Sequence, residues 1–234
     1  AAWLERAGAQ HARVFEEAVP ALLREGMSEM ELAAALFEKM VGLGHHGVTR
    51  FSMFQTELPI GHVAFGESAL YPMCFNGPGG GYGLCAAVPL LGSRERKLKK
   101  GDLVFADIGF GMNGYHTDKT QVYSFGAPPP AEAQKRHRQC MDVQKKLAEM
   151  LKPGAVPSEI YREVMAGLDG GLREHFMGFG QRRAKFLGHG VGLHTDEWPV
   201  IADGFDMKLE ENMFIALEPK KGIAGIGMVG VEDT

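Results

Sequence analysis

The chain has 234 residues, 45% hydrophobic and 23% charged, which suits one large soluble globular domain or two small ones. Its net charge of −4 gives no reason to expect a nucleic acid or an anionic membrane as partner. No stretch approaches the ~20 apolar residues of a membrane span. Cys74, Cys85 and Cys140 form no CxxC pair, so no zinc knuckle or disulfide frame is expected and a reducing, cytoplasmic setting is.

The N-terminus, AAWLERAGAQ, lacks the apolar core of a signal peptide and an initiator Met, which points to an excised segment. Residues 1–25 read as an amphipathic helix with Trp3, Leu4, Ala7, Val14, Ala18 and Leu22 near one stripe, kinked or split at Pro20. Ser28 with Glu31 forms a capping box that opens a second helix through Met40, stopped by Gly42 and Gly44. The adjacent His45 and His46 are read as surface residues. Short strands are expected at 49–54 and 64–65. The GPGGGYG loop at 77–83 is not followed by GK[ST], which argues against a phosphate cradle. The charge run RERKLKK at 94–100 reads as a solvated turn with Leu98 tucked in.

The next stretch, Gly101 to Phe125, reads as a β-hairpin. Asn113-Gly114 is the strongest short hairpin signal, since both turn positions need φ > 0. With those two as the loop, Met112 pairs with Tyr115, Gly109 with Asp118 and Asp107 with Thr120. Asp107 and Asp118 then lie on one face as diagonal neighbours, about 7–8 Å apart. Carboxylates converging from that distance can hold cations about 3.5–4 Å apart. Two solvated aspartates on an exposed face is the other reading of this stretch. Asp107 shares its face with Leu103 and Phe105, and a buried aspartate must be paired or metal-bound.

Pro128-Pro129-Pro130 divides the chain, with halves of about 1–127 and 131–234. A long helix over 131–151, a glycine turn at Gly154 and a helix over 158–167 follow. Leu23, Gly26, Glu31 and Leu32 recur as Leu151, Gly154, Glu159 and Ile160, all at an offset of 128 residues, which an internal duplication explains. Two related halves would place a site at their interface. In the second half His189 sits between glycines in FLGHGVGLHTDEWP, Glu218 ends the apolar NMFIALEP, and Glu232 lies in IGMVGVEDT. Alone, each would be read as a satisfied core residue. Joined to Asp107 and Asp118 they make four carboxylates and one imidazole, an oxygen-dominated set that favours Mn, Co, Fe or Zn in a dinuclear site.

The GDLV segment with Asp107, NGYHTD ending at Asp118, GHGVG around His189, LEP around Glu218 and VEDT with Glu232 together resemble the creatinase, prolidase and methionine aminopeptidase family of pita-bread metallohydrolases. The resemblance covers nearly the whole chain. It implies a single α+β domain over 1–234, two pseudo-symmetric halves with curved antiparallel sheet covered by helices. It also implies further chain beyond Glu232 and often a separate N-terminal domain. It implies Asp107, Asp118, His189, Glu218 and Glu232 as ligands of two divalent ions, Asp118 and Glu232 bridging, and Glu218 as the carboxylate that helps deprotonate water. The implied activity is removal of an N-terminal residue from a peptide, often beside proline.

Three departures from the family stand out. No histidine occurs in the loop before the first metal strand, Asp196 stands where a second histidine is expected seven residues after His189, and Gly230 stands where prolidase-like members have arginine. Asp196 would attract a substrate amine, and His116 and His194 are compensating donors or else surface histidines. The expected function is an aminopeptidase or Xaa-Pro-type metallopeptidase, with a non-peptidase metallohydrolase and a non-catalytic peptide-binding protein as alternatives. The expected partner is a peptide or other small-molecule substrate; a homodimer is left open.

Overall fold

Backbone chemistry at a few positions sets the element boundaries. The computed structural model describes residues 1–54, 56–73, 75, 77–85, 87, 88 and 91–234; Cys74 lies outside the described residues. Helix α1 (Ala2–Arg13) runs through a π-helical turn (Val14–Ala18) into α2 (Val19–Leu22). The break expected at Pro20 is thus taken up one turn earlier. A proline ring crowds the carbonyl four residues back, and the wider π turn relieves that crowding. Helix α3 (Glu29–Gly42) opens on the expected capping box: the Glu31 N–H donates to Ser28 Oγ at 3.1 Å and the Ser28 N–H to the Glu31 carboxylate at 2.6 Å. Strands β1 (Thr49–Arg50), β2 (Glu57–Leu58) and β3 (Gly61–Phe65) follow. The strand expected over 49–54 is therefore two residues long, and the one expected at 64–65 begins at Gly61. The hairpin is β4 (Leu103–Met112) and β5 (Tyr115–Ser124). Helices α4 (Ala131–Met150), α5 (Pro157–Ala166) and α6 (Gly170–Arg173) come next. The chain ends in β6 (Gly178–Phe179), β7 (Arg182–Arg183), β8 (Phe186–Gly190), β9 (Glu197–Ala202), β10 (Ile215–Leu217), β11 (Lys220–Ile223) and β12 (Gly227–Gly230). No helix among the described residues is long and apolar enough to cross a membrane.

The hairpin has the register read from the sequence. Met112 pairs with Tyr115, Gly109 with Asp118 and Asp107 with Thr120, around a turn in which Asn113 and Gly114 have φ of +51° and +86°. Strand β4 lies between β3 and β5; β8 lies between β10 and β9. The two three-stranded sheets are joined by the last residues of the chain. Thr120 of β5 exchanges backbone hydrogen bonds with Glu232 at 3.1 and 3.2 Å, and Leu217 of β10 does so with Asp233 at 3.0 and 3.3 Å. The C-terminal segment is therefore the seam of a sheet running β3, β4, β5, seam, β10, β8, β9.

Each half has its own core. In the first, Val14, Phe15, Leu32 and Leu36 from the helices pack on Phe65, Ile108 and Phe110. In the second, Leu147 and Ile160 pack on Leu187, Ile201 and Leu217. Burial of each such side chain is worth about 1.5–3 kcal/mol. The halves match in backbone detail. The Gly26 N–H donates to Leu98 O and the Gly154 N–H to Leu209 O, both at 2.8 Å. Leu98, Gly101 and Asp107 are each followed 111 residues later by Leu209, Asn212 and Glu218, and both Gly101 and Asn212 are left-handed, with φ of +93° and +66°. Asp107 and Glu218 are thus equivalent positions of the two halves. Leu98, as expected of the charge run, is buried. His45 departs from the surface reading: it is buried, because α3, the β2–β3 turn and β4 bring Phe37, Pro59, Phe110 and Gly111 around it. His46 is exposed.

Candidate metal centre

All five predicted ligands sit on neighbouring positions across the joined sheet. Asp107 is on β4 beside Thr120 of β5, Thr120 pairs with Glu232 on the seam, Glu218 follows β10, and His189 on β8 pairs with Ala216 of β10. Asp118 is two residues from Thr120 on β5 and so shares its face with it. Glycines on both sides of His189 let its strand run between two neighbours. A Cβ at Gly188 would strike Ala216 O, and one at Gly190 would strike Trp198 O.

Asp118, His189 and Glu232 each offer one ligand atom, and these atoms lie within 4.8 Å of one another in a buried setting. The His189 Nδ1–H donates to Gly190 O at 3.1 Å, which turns Nε2 into the cluster, 3.4 Å from Glu218 Oε1 and 3.6 Å from Glu232 Oε1. Glu232 Oε1 is buried and has no hydrogen-bond partner among the described residues. An orphaned carboxylate oxygen next to an imidazole nitrogen and a second carboxylate fits a divalent cation.

A sixth residue enters the cluster that the sequence reading did not single out. The Lys220 side chain is wholly buried, and Nζ donates to Asp107 Oδ2 at 2.9 Å, Glu218 Oε2 at 2.8 Å and Glu232 Oε2 at 2.6 Å. Thr120 Oγ1 also donates to Glu232 Oε2, at 2.8 Å. The signal was present: Lys220 is two residues after Glu218 and therefore on its face. The cluster's proton affinities follow from its charges. Burial opposes charge on Lys220, but Asp107, Glu218 and Glu232 outweigh it and hold the ammonium well above the usual lysine range. Burial likewise opposes charge on His189, and its bonds to Glu218 and Glu232 reverse the sign. Burial, reinforced by Glu232 and Asp107, raises Asp118. The cluster is short of positive charge.

The centre opens into a cleft of about 190 Å³ whose walls include Phe51, Phe75, Phe186, Trp198 and Val200. Asp196 is on that wall, with Oδ1 accepting from the Ser52 N–H at 2.8 Å and from Ser52 Oγ at 3.3 Å. His194 lies outside the cleft, over a separate hollow with Arg50 and Glu57. His116 is also outside it: fully buried, it accepts the Arg50 N–H at 3.3 Å and meets the His46 ring. A histidine the sequence reading passed over is nearer the chemistry. His62 on β3 pairs in register with Asp107, is buried, and has neither ring nitrogen hydrogen-bonded among the described residues. Burial holds it below the usual histidine range, against the pull of Asp107. The pairing of β3 with β4 is the signal that would have found it.

The sequence model of metallopeptidase family M24 matches residues 2–234. A probable dipeptidase, PepE of Mycobacterium tuberculosis, is 31% identical over 235 residues, which cover 98% of this chain and 52% of that protein. A Xaa-Pro dipeptidase of Pyrococcus furiosus is 33% identical over 152 residues, 64% of this chain and 41% of that one. The chain spans about half the length of the curated relatives it matches. Among solved structures, a prolidase from Pyrococcus furiosus superposes with a TM-score of 0.76 at 26% identity, over 99% of this chain and 59% of that one. Dipeptidase PepE from Mycobacterium ulcerans does so with 0.74 at 29%, over 99% and 54%. The expected pita-bread fold, two related halves with helices over antiparallel sheet, is the fold observed.

Proposed function

The chain belongs to metallopeptidase family M24, and on that premise we propose that residues 1–234 form the single catalytic domain of a divalent-metal-dependent peptidase. It removes the N-terminal residue from short peptides, Xaa-Pro peptides among them, in a cytoplasmic setting. The observation that carries this reading is the buried trio of Asp118, His189 and Glu232, with the Glu232 Oε1 atom unpartnered beside the His189 nitrogen. Those three would hold a cation of the Mn, Co, Fe or Zn class; Asp107 and Glu218 complete the set of five that the resemblance implies for two ions. When bound, such a cation supplies Lewis acidity toward a carbonyl and lowers the pKa of water.

The chain's own groups account for the rest. Glu218 takes the proton from the attacking water and returns it to the leaving amine. Its Oε2 is fixed by Lys220 at 2.8 Å, which leaves Oε1 on the His189 side. Phe51, Phe75, Phe186 and Trp198 receive apolar substrate side chains and keep water from the reacting bond. Asp196 holds the substrate's α-ammonium, with Ser52 fixing the carboxylate's orientation. The test is to strip the protein with EDTA, reload it with Mn or Co, and assay dipeptides and Xaa-Pro peptides. The expected result is hydrolysis that EDTA abolishes and that Glu218→Gln lowers by about 10²–10⁴-fold. Peptide binding without turnover would replace this reading with that of a binding protein, and EDTA-insensitive turnover would remove the metal from it.

A further inference from the structure

We propose that the Lys220 ammonium is a built-in cation of the centre, taking the place of one of the two divalent ions that its five ligands suggest, so that each chain binds one divalent ion, at Asp118, His189 and Glu232. This rests on the reading of the site as a metal centre given above.

The geometry is that of a cation site already filled. An ammonium has three N–H donors, and here three carboxylate oxygens, from Asp107, Glu218 and Glu232, receive them at 2.6–2.9 Å. One acceptor belongs to the first half and two to the second, so the ammonium spans the same interface a metal ion would. The oxygens it engages are lost to a second cation: Asp107 Oδ2, Glu218 Oε2 and Glu232 Oε2. What remains is the trio whose ligand atoms converge within 4.8 Å and which includes the unpartnered Glu232 Oε1.

Lys220 has nowhere else to go. Its side chain is wholly buried, so it has no water-facing position of the kind an exposed lysine reaches by straightening its stem. Lys220 pairs with Gly230 across β11 and β12, where φ is +130° and a Cβ would sit 2.4 Å from Pro219 O and 2.6 Å from Lys220 Cα, so the glycine lets the two backbones approach closely over the buried lysine.

Equilibrium dialysis against Mn²⁺, followed by elemental analysis and electron paramagnetic resonance, tests this without relying on turnover. The expected result is about one Mn²⁺ per chain with the spectrum of an isolated ion, and about two per chain with an exchange-coupled spectrum in Lys220→Ala, where both cation positions are free. Two coupled ions in the unaltered protein would overturn the inference while leaving the metal centre standing. So would a Lys220→Ala variant that stays folded by circular dichroism and still binds one. No bound Mn²⁺ in the unaltered protein would overturn the metal-centre reading itself. The measurement on the unaltered protein decides the matter alone if the variant does not fold.

Discussion

The β4–β5 hairpin carries two buried polar clusters, and they solve the problem of burial in opposite ways. Near its tip, His11, His45 and His116 surround Phe110 and Gly111, with exposed His46 at the edge. Lower down, Asp107 and Asp118 meet Glu218, Glu232 and Lys220. A neutral imidazole carries one donor and one acceptor, so backbone groups can satisfy it. His45 accepts from the Gly111 N–H at 2.9 Å and donates to Pro59 O at 3.1 Å, and His11 Nδ1 is 3.0 Å from Thr117 Oγ1. Burial then keeps these rings uncharged, His11 down to about 3 and His45 and His116 to about 4. Carboxylates have only acceptors when ionised and must import positive charge. The tip holds neutral rings, with His11 Nε2 and His116 Nδ1 left unpartnered among the described residues; the lower cluster gathers carboxylates around the Lys220 ammonium.

The largest effect that would break this contrast is the loss of the imported charge. Lys220→Met leaves three carboxylates facing one another, and in EDTA it should cost about 3–5 kcal/mol of unfolding free energy by denaturant titration. Part of that loss should return when Mn²⁺ is added, since a cation bound only by the folded state stabilises it. A cost below about 1 kcal/mol in EDTA would mean that the ammonium is not what balances the cluster.

The next effect belongs to the tip and runs with pH. The folded pKa values of His11, His45 and His116 lie below the unfolded value of 6.5, so the unfolded chain binds more protons between those limits. Their contribution to stability is complete above about pH 6.5, falls as pH drops to about 4, and for His11 continues to fall to about 3. Asp118, raised by burial, works in the other direction. The difference between the unaltered protein and His45→Gln is therefore the quantity to measure. The variant should show a shallower loss of stability from pH 7 to 4, and parallel curves would assign the acid sensitivity elsewhere.

The smallest effect separates the cleft wall from both clusters. Asp196→Asn keeps an oxygen for the Ser52 N–H, so stability should change by less than about 0.5 kcal/mol. KM for peptides with a free α-ammonium should rise several-fold with little change in kcat, because a ground-state contact is lost. An unchanged KM would remove Asp196 from substrate binding.

Much of this architecture is legible in the sequence because it is local. Asn113-Gly114 fixes the hairpin register, Ser28 with Glu31 opens α3, and the 128-residue offset gives the related halves. The five carboxylate and imidazole positions are recognisable from their flanking segments. What escapes is set by pairing between distant strands. Nothing near Glu232 in the chain says that it bridges β5 to β10. His45 looks like a loop residue until Phe37 and Phe110 close over it. His62 gains its meaning from lying opposite Asp107. Lys220 hides best, because a Lys-Lys pair after a proline suggests a solvated turn and lysines are almost never fully buried unless paired. One of its partners, Asp107, lies 113 residues away, and that Gly230 stands opposite Lys220 is seen only once β11 and β12 pair.

Anomalous diffraction at the manganese edge from crystals soaked in Mn²⁺ would show whether the seam holds a cation on Asp118, His189 and Glu232. One anomalous peak per chain is expected, bounded by those three side chains, with Lys220 still on Asp107. No peak at the trio, or a peak that displaces Lys220 from Asp107, would rule out a single ion held beside the ammonium.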